Sequence, residues 1–267
     1  MPFYRNTAVL VLVILVDVYP VAQGIHGDAG GMAKMIAILQ SAHNDAGEDV
    51  AGYSTETVAQ HTFAMLLFLL EKLRYYDDYV KEERYVNDVS FTHFAEHFTE
   101  IHGKTWGIIG LGAIGRRVAE IARAFGAKVI YYSASGAPAQ EGYEQVDFET
   151  LLTQSDIISV HAPLNEHTEG LINSKAFEKM KSSCIFLNLG RGPIVDEQAL
   201  YDALVRNQIA AAGLDVLCKE PMSADNPLLK IKDSKRLLIT PHIAWASVEA
   251  RTHLMEIIHG QVKDFFA

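Results

Sequence analysis

Three side chains in the second half of the sequence have the types needed for chemistry on a small carbonyl acid. Arg191 lies in a Gly-Arg-Gly sequence after an apolar run, Glu220 follows it, and His242 comes directly after Pro241. An arginine binds a carboxylate bidentately and polarises an adjacent carbonyl. A histidine transfers protons near neutral pH, and a neighbouring carboxylate orients its ring and favours its charged form. These residue types predict a site that binds a 2-oxo acid and protonates it.

A glycine-rich turn precedes these three residues. Gly110, Gly112 and Gly115 form a GxGxxG pattern between a strand-like run and an amphipathic helix, and that context makes the pattern a signal for dinucleotide binding. Gly110 permits the tight turn, Gly112 lets the backbone approach a pyrophosphate, and Gly115 lets helix and strand pack closely. The pyrophosphate would bind N–H groups at the helix N-terminus. The turn and the three residues together predict hydride transfer between a nicotinamide cofactor and a 2-oxo acid.

The sequence leaves the choice between NAD and NADP open. A carboxylate at the end of the second strand normally binds the ribose hydroxyls of NAD and repels a 2′-phosphate. Ser133 stands in that place, so no acid excludes NADP, and no arginine close by in sequence favours it. We predict NAD, with NADP as the alternative.

From Gly103 onward, apolar strand-like runs alternate with amphipathic helices, which predicts an α/β fold with a doubly wound parallel sheet of the Rossmann type. Because Arg191 and His242 each follow a strand, we expect their side chains at the carboxyl edge of the sheet, where α/β proteins bind ligands. The expected strands are 106–109, 128–132, 157–160, 184–187, 210–216 and 237–239, the expected helices include 116–125 and 148–153, and each of the last four strands should follow a helical segment.

A different pattern precedes Gly103. Residues 55–74 predict one long helix that is apolar on most of its circumference and therefore buried between domains or subunits. Residues 75–102 are rich in aromatic residues, His and Glu, which favours a protruding arm. Residues 246–267 predict a closing helix packed away from the sheet. The apolar run 8–16 is shorter than the ~20 residues of a membrane span, and a buried strand is favoured over the core of a signal peptide.

Composition excludes several classes of function. The 23 Lys and Arg against 33 Asp and Glu give a net charge of −10, so the chain lacks the charge expected for binding nucleic acid or an anionic membrane. Cys184 and Cys218 have no paired spacing, which favours a reducing, cytoplasmic setting. His93, Glu96 and His97 match an H-x-x-E-H zinc pattern. No third ligand is evident, so we favour an interface helix and predict no metal.

Several separate stretches resemble one known family, the D-isomer-specific 2-hydroxyacid dehydrogenases. The stretches occur in family order and the resemblance covers about residues 53–267; they are GKTWGIIGLGAIGRRVA, SDIISVHAPLNEHTEGLIN, FLNLGRGPIVDEQAL, AGLDVLCKEP and ITPHIAWAS. The resemblance implies an NAD-binding Rossmann domain at 103–245 and a linking helix with a dimer arm at 53–102. Residues 1–52 plus 246–267 would then be a shortened remnant of a flavodoxin-like catalytic domain.

The same resemblance implies a cytoplasmic homodimer that transfers a hydride between NAD(H) and a small 2-oxo or 2-hydroxy acid of the lactate, glycerate or glyoxylate type. Arg191, Glu220 and His242 would be catalytic, and Tyr53 and Arg191 would contact the substrate. The cofactor contacts that it implies are Gly110, Gly112, Ala113, Ile114, Gly115, Ser133, His161, Ala162, Pro163, Thr168, Leu189, Gly190 and Asp215. The alternative is an NAD(H)-binding remnant or redox sensor of the same fold with impaired catalysis.

Overall fold

The computed structural model describes residues 52–266. The chain divides into two compact units, one formed by Thr55–Trp245 and the other by Met1–Ser54 with Ala246–Ala267. The strand predicted at 8–16, and the part of the catalytic remnant predicted at 1–51, lie outside the described residues.

The larger unit is built on a parallel sheet of seven strands in the order β3-β2-β1-β4-β5-β6-β7. The strand order reverses between β1 and β4, and α/β proteins bind ligands outside the carboxyl ends of the strands at such a point. The predicted α/β fold class is confirmed. The strands are β1 Thr105–Ile109, β2 Lys128–Tyr132, β3 Glu144–Gln145, β4 Ile157–Val160, β5 Ile185–Asn188, β6 Ala211–Leu214 and β7 Leu237–Ile239.

Helices cover both faces of this sheet. The helices of the larger unit are α1 Thr55–Leu70, α2 Leu73–Lys81, α3 Ala113–Ala124, α4 Phe148–Gln154, α5 Ser174–Lys179 and α6 Glu197–Val205, with 3₁₀ turns at Arg84–Asn87, Gly192–Ile194 and Pro227–Lys230. On one face, α1 crosses β5, β6 and β7 and packs against α3, with Trp106 buried in that core. On the other face, α4, α5 and α6 enclose a second core around Phe177 and Phe186. Burial on both faces explains why the central strands are continuously apolar.

The single helix predicted at 55–74 is wrong in its length, because the chain forms two shorter helices there. Helix α1 ends at Leu70, and Lys72 adopts a left-handed conformation with φ 55° before α2 begins at Leu73. The apolar side of α1 is buried against the sheet of its own unit, with Met65 and Leu66 almost fully enclosed. After α2, residues 82–104 contain a 3₁₀ turn at Arg84–Asn87 and no other helix or strand.

Most other predicted elements are present with small changes at their ends. Helix α3 begins at Ala113 rather than at residue 116, because the helix starts directly at the glycine turn. The side chain of Asp147 caps α4 by accepting a hydrogen bond from the Thr150 N–H. The structure adds the short edge strand β3, and β7 follows a 3₁₀ turn rather than the predicted helical segment.

The smaller unit contributes one helix to the described residues, α7 Val248–Phe266, at the place predicted for a closing helix. Across residues 52–266, none of the helices combines the length and apolar character needed to cross a membrane.

Candidate active site

The glycine turn joins β1 to α3 at the point where the strand order reverses. Gly110 has φ 90°, and a Cβ atom there would lie 2.7 Å from the backbone of Ala162 at the end of β4. A Cβ atom on Gly115 would collide with the carbonyl oxygen of Gly110. Gly112 differs, because no atom lies within 4 Å of where its Cβ would be. Two of the glycines therefore allow close packing inside the protein, and the third leaves an open approach to the backbone.

The open approach at Gly112 leads to the N-terminus of α3. Gly112 is the N-cap residue and offers no side-chain oxygen to the first N–H groups of the helix, which have no intrahelical acceptors. Ala113, Ile114 and Gly115 form this first turn. Exposed N–H groups and the helix dipole favour an anion, so this cradle fits the pyrophosphate of a dinucleotide.

The other predicted cofactor residues follow strands and therefore lie along the same carboxyl edge of the sheet. Ser133 follows β2, residues 161–163 follow β4, residues 189–190 follow β5, and Asp215 follows β6. Thr168 lies farther along the loop after β4, where its hydroxyl donates to the Pro163 carbonyl at 2.7 Å and accepts from the Asn165 N–H at 2.8 Å. Thr168 thus holds the shape of this loop.

His161 lies beside the glycine turn, and its N–H donates to the Ile109 carbonyl at 2.8 Å. Both ring nitrogens are buried, and neither has a hydrogen-bond partner among the described residues. Burial lowers the pKa of His161 to about 3, so the ring is neutral at neutral pH. Unpaired buried polar atoms are rare in folded proteins, and these two are a second feature that fits a polar ligand at this edge.

Arg191 is exposed in a tight turn after β5 that a buried asparagine holds. The Asn188 side chain donates to the Arg191 carbonyl at 3.0 Å and accepts from the Gly190 N–H at 3.1 Å. The Arg191 guanidinium donates to the Gly190 carbonyl at 2.9 Å. Sequence reasoning missed Asn188, although a polar residue at the end of an apolar strand is a usable signal.

Glu220 and His242 form a hydrogen-bonded pair, with Glu220 Oε2 2.8 Å from His242 Nδ1. Glu220 Oε1 also accepts from the Leu217 N–H at 2.8 Å. Burial raises the pKa of Glu220, but the hydrogen bonds from His242 and Leu217 and the positive charges of His242 and Arg191 outweigh it, so the pKa lies below its usual range. The charges of Arg191 and His242 both act on Glu220, so the structure brings the three predicted catalytic residues close together. Among the described residues, His242 Nε2 has no hydrogen-bond partner.

The backbone around His242 is held by Asp215. His242 has φ 55°, an uncommon value for a residue other than glycine, and its N–H donates to the Asp215 carbonyl at 2.8 Å. The Asp215 carboxylate, 2% exposed, accepts from the N–H groups of Ile243 at 3.0 Å and Ala244 at 2.9 Å. Asp215 was predicted to contact the cofactor, and the contacts of its carboxylate here are to the loop that carries His242.

Two further residues that sequence reasoning missed complete this network. The Thr240 hydroxyl donates to Asp215 Oδ1 at 2.6 Å, and His61 Nε2 lies 3.0 Å from the Thr240 oxygen. Because Thr240 uses its hydrogen on Asp215, it must accept from His61 Nε2–H. Helix α1 is thereby connected to the loop of the candidate site.

Two predictions fall outside this arrangement. Tyr53 belongs to the smaller unit, and its contact with substrate stays a prediction. Glu96, from the zinc-like pattern, accepts a hydrogen bond from Lys235 Nζ at 2.7 Å, and the His93 ring stacks 3.7 Å from that of Tyr79. Within residues 52–266, no three or more His, Cys, Asp or Glu residues are grouped so as to hold a metal ion.

The fold and this edge of the sheet define a Rossmann-type dinucleotide-binding unit that carries an arginine and an acid–histidine pair. The sequence model of the "D-isomer specific 2-hydroxyacid dehydrogenase, NAD binding domain" matches residues 63–244. A hydroxypyruvate reductase of Blautia hydrogenotrophica is 40% identical over 219 residues, which cover 81% of this chain and 67% of that relative. The chain belongs to the D-isomer-specific 2-hydroxyacid dehydrogenase family.

Solved structures agree with this assignment. D-lactate dehydrogenase from Aquifex aeolicus, solved with NAD and lactic acid, has 33% identity and a TM-score of 0.71, over 82% of this chain and 67% of that one. An acyclic imino acid reductase solved with NADPH and D-Arg has 37% identity and a TM-score of 0.71, over 80% of this chain and 66% of that one. The chain thus spans about two thirds of the length of these relatives. The predicted family, the class of NAD-dependent oxidoreductase and the nicotinamide cofactor are confirmed.

Proposed function

We propose that this chain reduces a small 2-oxo acid to the D-2-hydroxy acid, as part of an enzyme that uses NAD(H). The observation that carries the proposal is the 2.8 Å contact between Glu220 and His242, beside Arg191 and on the dinucleotide-binding edge of the sheet. A bound nicotinamide dinucleotide would supply the hydride that reduces the carbonyl carbon. The residues of the chain would bind the acid and supply the proton.

His242 is the proposed proton donor to the carbonyl oxygen. Glu220 holds the ring at Nδ1, which directs Nε2 away from the pair and leaves it as the atom that can donate to a substrate. A carboxylate at this distance also stabilises the charged imidazolium before the proton is transferred. His242 is neutral after the reaction, and the pair is reset when the ring takes a proton from solvent.

Arg191 is the proposed binding group for the substrate carboxylate. Its guanidinium is exposed and can form two parallel hydrogen bonds to a carboxylate. Because Asn188 anchors the turn on both sides of Gly190, the backbone of Arg191 is held before substrate arrives. Because the Arg191 backbone is already fixed, less conformational entropy is lost when the substrate binds.

Turnover by a histidine variant tests the proposal. The oxidation of NADH would be followed with pyruvate, glyoxylate and hydroxypyruvate, for the wild type and for His242→Gln. Loss of a general acid costs about 10²- to 10⁴-fold in rate, whereas NADH affinity should stay unchanged because His242 does not belong to the glycine turn. His102→Gln is the matched control, since His102 precedes β1 at the other edge of the sheet.

The outcomes of this experiment separate the two candidate functions. A His242→Gln variant as fast as the wild type would refute the role of the histidine. NADH binding without oxidation of any substrate by the wild type would favour the alternative, a dinucleotide-binding protein with impaired catalysis.

We also propose that the chain acts as a cytoplasmic homodimer. The predicted arm, residues 75–102, exposes several large apolar side chains, including Val89, Phe91 and Phe94, and exposed apolar patches mark sites of association. Two unpaired cysteines and a nicotinamide cofactor both fit a reducing compartment.

A further inference from the structure

Two side chains of α1 bind the loop that carries His242. The Thr57 hydroxyl donates to the Ala244 carbonyl at 2.9 Å, and His61 Nε2–H donates to the Thr240 hydroxyl oxygen at 3.0 Å. Thr57 and His61 occupy positions i and i+4 of the helix, so they lie on the same face, about one turn apart. Helix α1 therefore holds the loop two residues before His242 and two residues after it.

The direction of the His242 side chain depends on this support of its backbone. His242 has φ 55°, and a residue other than glycine keeps such a conformation only where the surrounding structure imposes it. The side chain is exposed, and its ring is held at Nδ1 by Glu220. Because Glu220 fixes one atom of the ring, the direction of Nε2 also depends on where the backbone places the Cβ atom.

Apolar packing, rather than these two polar contacts, holds α1 on the sheet. Met65, Leu66 and Leu69 are almost fully enclosed, and the helix packs against β5, β6 and β7. Thr57 and His61 lie nearer the start of the helix and are half-buried. A substitution that removes either hydrogen bond should therefore leave the fold intact and act on the loop.

We propose that Thr57 and His61 are positioning residues for His242, which hold its loop so that Nε2 is directed at the carbonyl oxygen of the substrate. The inference rests on the proposed function, in which His242 donates the proton. A general acid must lie within hydrogen-bond distance of the atom that it protonates, so a small displacement of the loop lowers the rate. Neither Thr57 nor His61 need contact the substrate, because both act through the backbone of the loop.

Paired substitutions in the full chain test the proposal through NADH oxidation with pyruvate, glyoxylate and hydroxypyruvate. Thr57→Val and His61→Leu remove the two donors, whereas Thr57→Ser and His61→Gln each keep one. We expect the first pair to lower kcat by about tenfold, with the KM of the acid and the Kd of NADH little changed, and the second pair to stay close to the wild type. Thr62→Val is the matched control, because the Thr62 hydroxyl donates within α1, to the Val58 carbonyl at 2.8 Å, and its loss should leave kcat unchanged.

The same substitutions in a His242→Gln chain separate positioning from a general effect on the fold. Thr57→Val and His61→Leu should lower the residual rate of that chain by less than about twofold, because the side chain that they position is gone. An equal fold-loss in both backgrounds would overturn the proposal, since the two residues would then act on something other than His242. Unchanged kcat in both single variants would overturn it as well.

Nitrogen-15 NMR of the histidine rings gives a second measurement that needs neither substrate nor turnover. The signals of His242 are those that disappear in His242→Gln, and the Nδ1 signal reports the contact with Glu220. Thr57→Val and His61→Leu should shift these signals, Thr62→Val should not, and unshifted signals in the first two variants would overturn the proposal. If the wild type oxidises NADH with none of the acids, the proposed function fails, whereas the ring signals still decide whether α1 holds the histidine.

Discussion

At the scale of single residues, Glu220 joins the proposed proton donor to the loop before it. One carboxylate oxygen accepts from the Leu217 N–H and the other contacts His242 Nδ1. Burial works against ionisation, yet these contacts and the charge of Arg191 keep the pKa of Glu220 below its usual range. The carboxylate is therefore charged at neutral pH, where it is an anionic partner for the imidazole.

The lowered pKa of Glu220 predicts a pH-dependent contribution to stability. A carboxyl with a lower pKa in the folded than in the unfolded chain stabilises the fold above its unfolded pKa, about 4.3 for glutamate. That contribution is lost as the pH falls through the folded pKa. We expect Glu220→Gln to have a lower Tm than the wild type at neutral pH, and the difference to shrink below about pH 4.3. Thermal unfolding of both proteins from neutral pH into this acidic range measures it.

Glu178→Gln is the control for this titration, because Glu178 is an exposed residue of α5. The Tm of the control should stay close to that of the wild type at every pH. A difference for Glu220→Gln that grows as the pH falls would contradict the assigned sign.

At the scale of elements, two glycines in the turn between β1 and α3 have different roles: Gly115 allows close packing, and Gly112 leaves the backbone open to a ligand. A methyl group at Gly115 would meet the Gly110 carbonyl, whereas one at Gly112 would enter open space. We expect Gly115→Ala to destabilise the fold by about 1–3 kcal/mol through overpacking. Gly112→Ala should change the free energy of unfolding by less than about 0.5 kcal/mol, yet weaken NADH binding, because its methyl group occupies the approach to the helix N-terminus.

Urea unfolding measures the free energy of unfolding of each variant, and NADH titration measures its affinity for the cofactor. Gly112→Ala with unchanged NADH affinity would mean that the pyrophosphate does not approach this backbone. Gly115→Ala with unchanged stability would mean that β1 and α3 can separate to admit a methyl group.

Local sequence predicts the strands and the edge that carries the candidate site, but not the contacts that hold the site. Parallel strands end at one edge, so the placement of Arg191 and His242 follows once the strands are recognised. The bond between His61 and Thr240 joins residues 179 positions apart, and only the packing of α1 on the sheet brings them together. Local sequence also does not predict the helix break at Lys72, because neither glycine nor proline occurs there.

At the scale of the whole molecule, the larger unit contains the glycine turn, Arg191, Glu220 and His242 within one continuous segment. The predicted arm, residues 75–102, is the one region where large apolar side chains accumulate on the described surface, with Val89 104%, Phe91 91% and Phe94 73% exposed. A chain with a net charge of −10 repels a second copy at long range, so association through this arm would depend on apolar burial at contact.

The proposed dimer predicts the effect of charges placed on the arm. Light scattering should give the mass of two chains for the wild type and of one chain for the double variant Phe91→Asp, Phe94→Asp, because two carboxylates would be desolvated in the interface. The two substitutions should not destabilise the fold of the single chain, because both side chains are exposed within one copy. Any fall in Tm should therefore come from loss of the dimer. Val205→Asp, at the exposed end of α6, is the control and should remain dimeric. A dimeric double variant would place the interface elsewhere, and a monomeric wild type would refute the dimer itself.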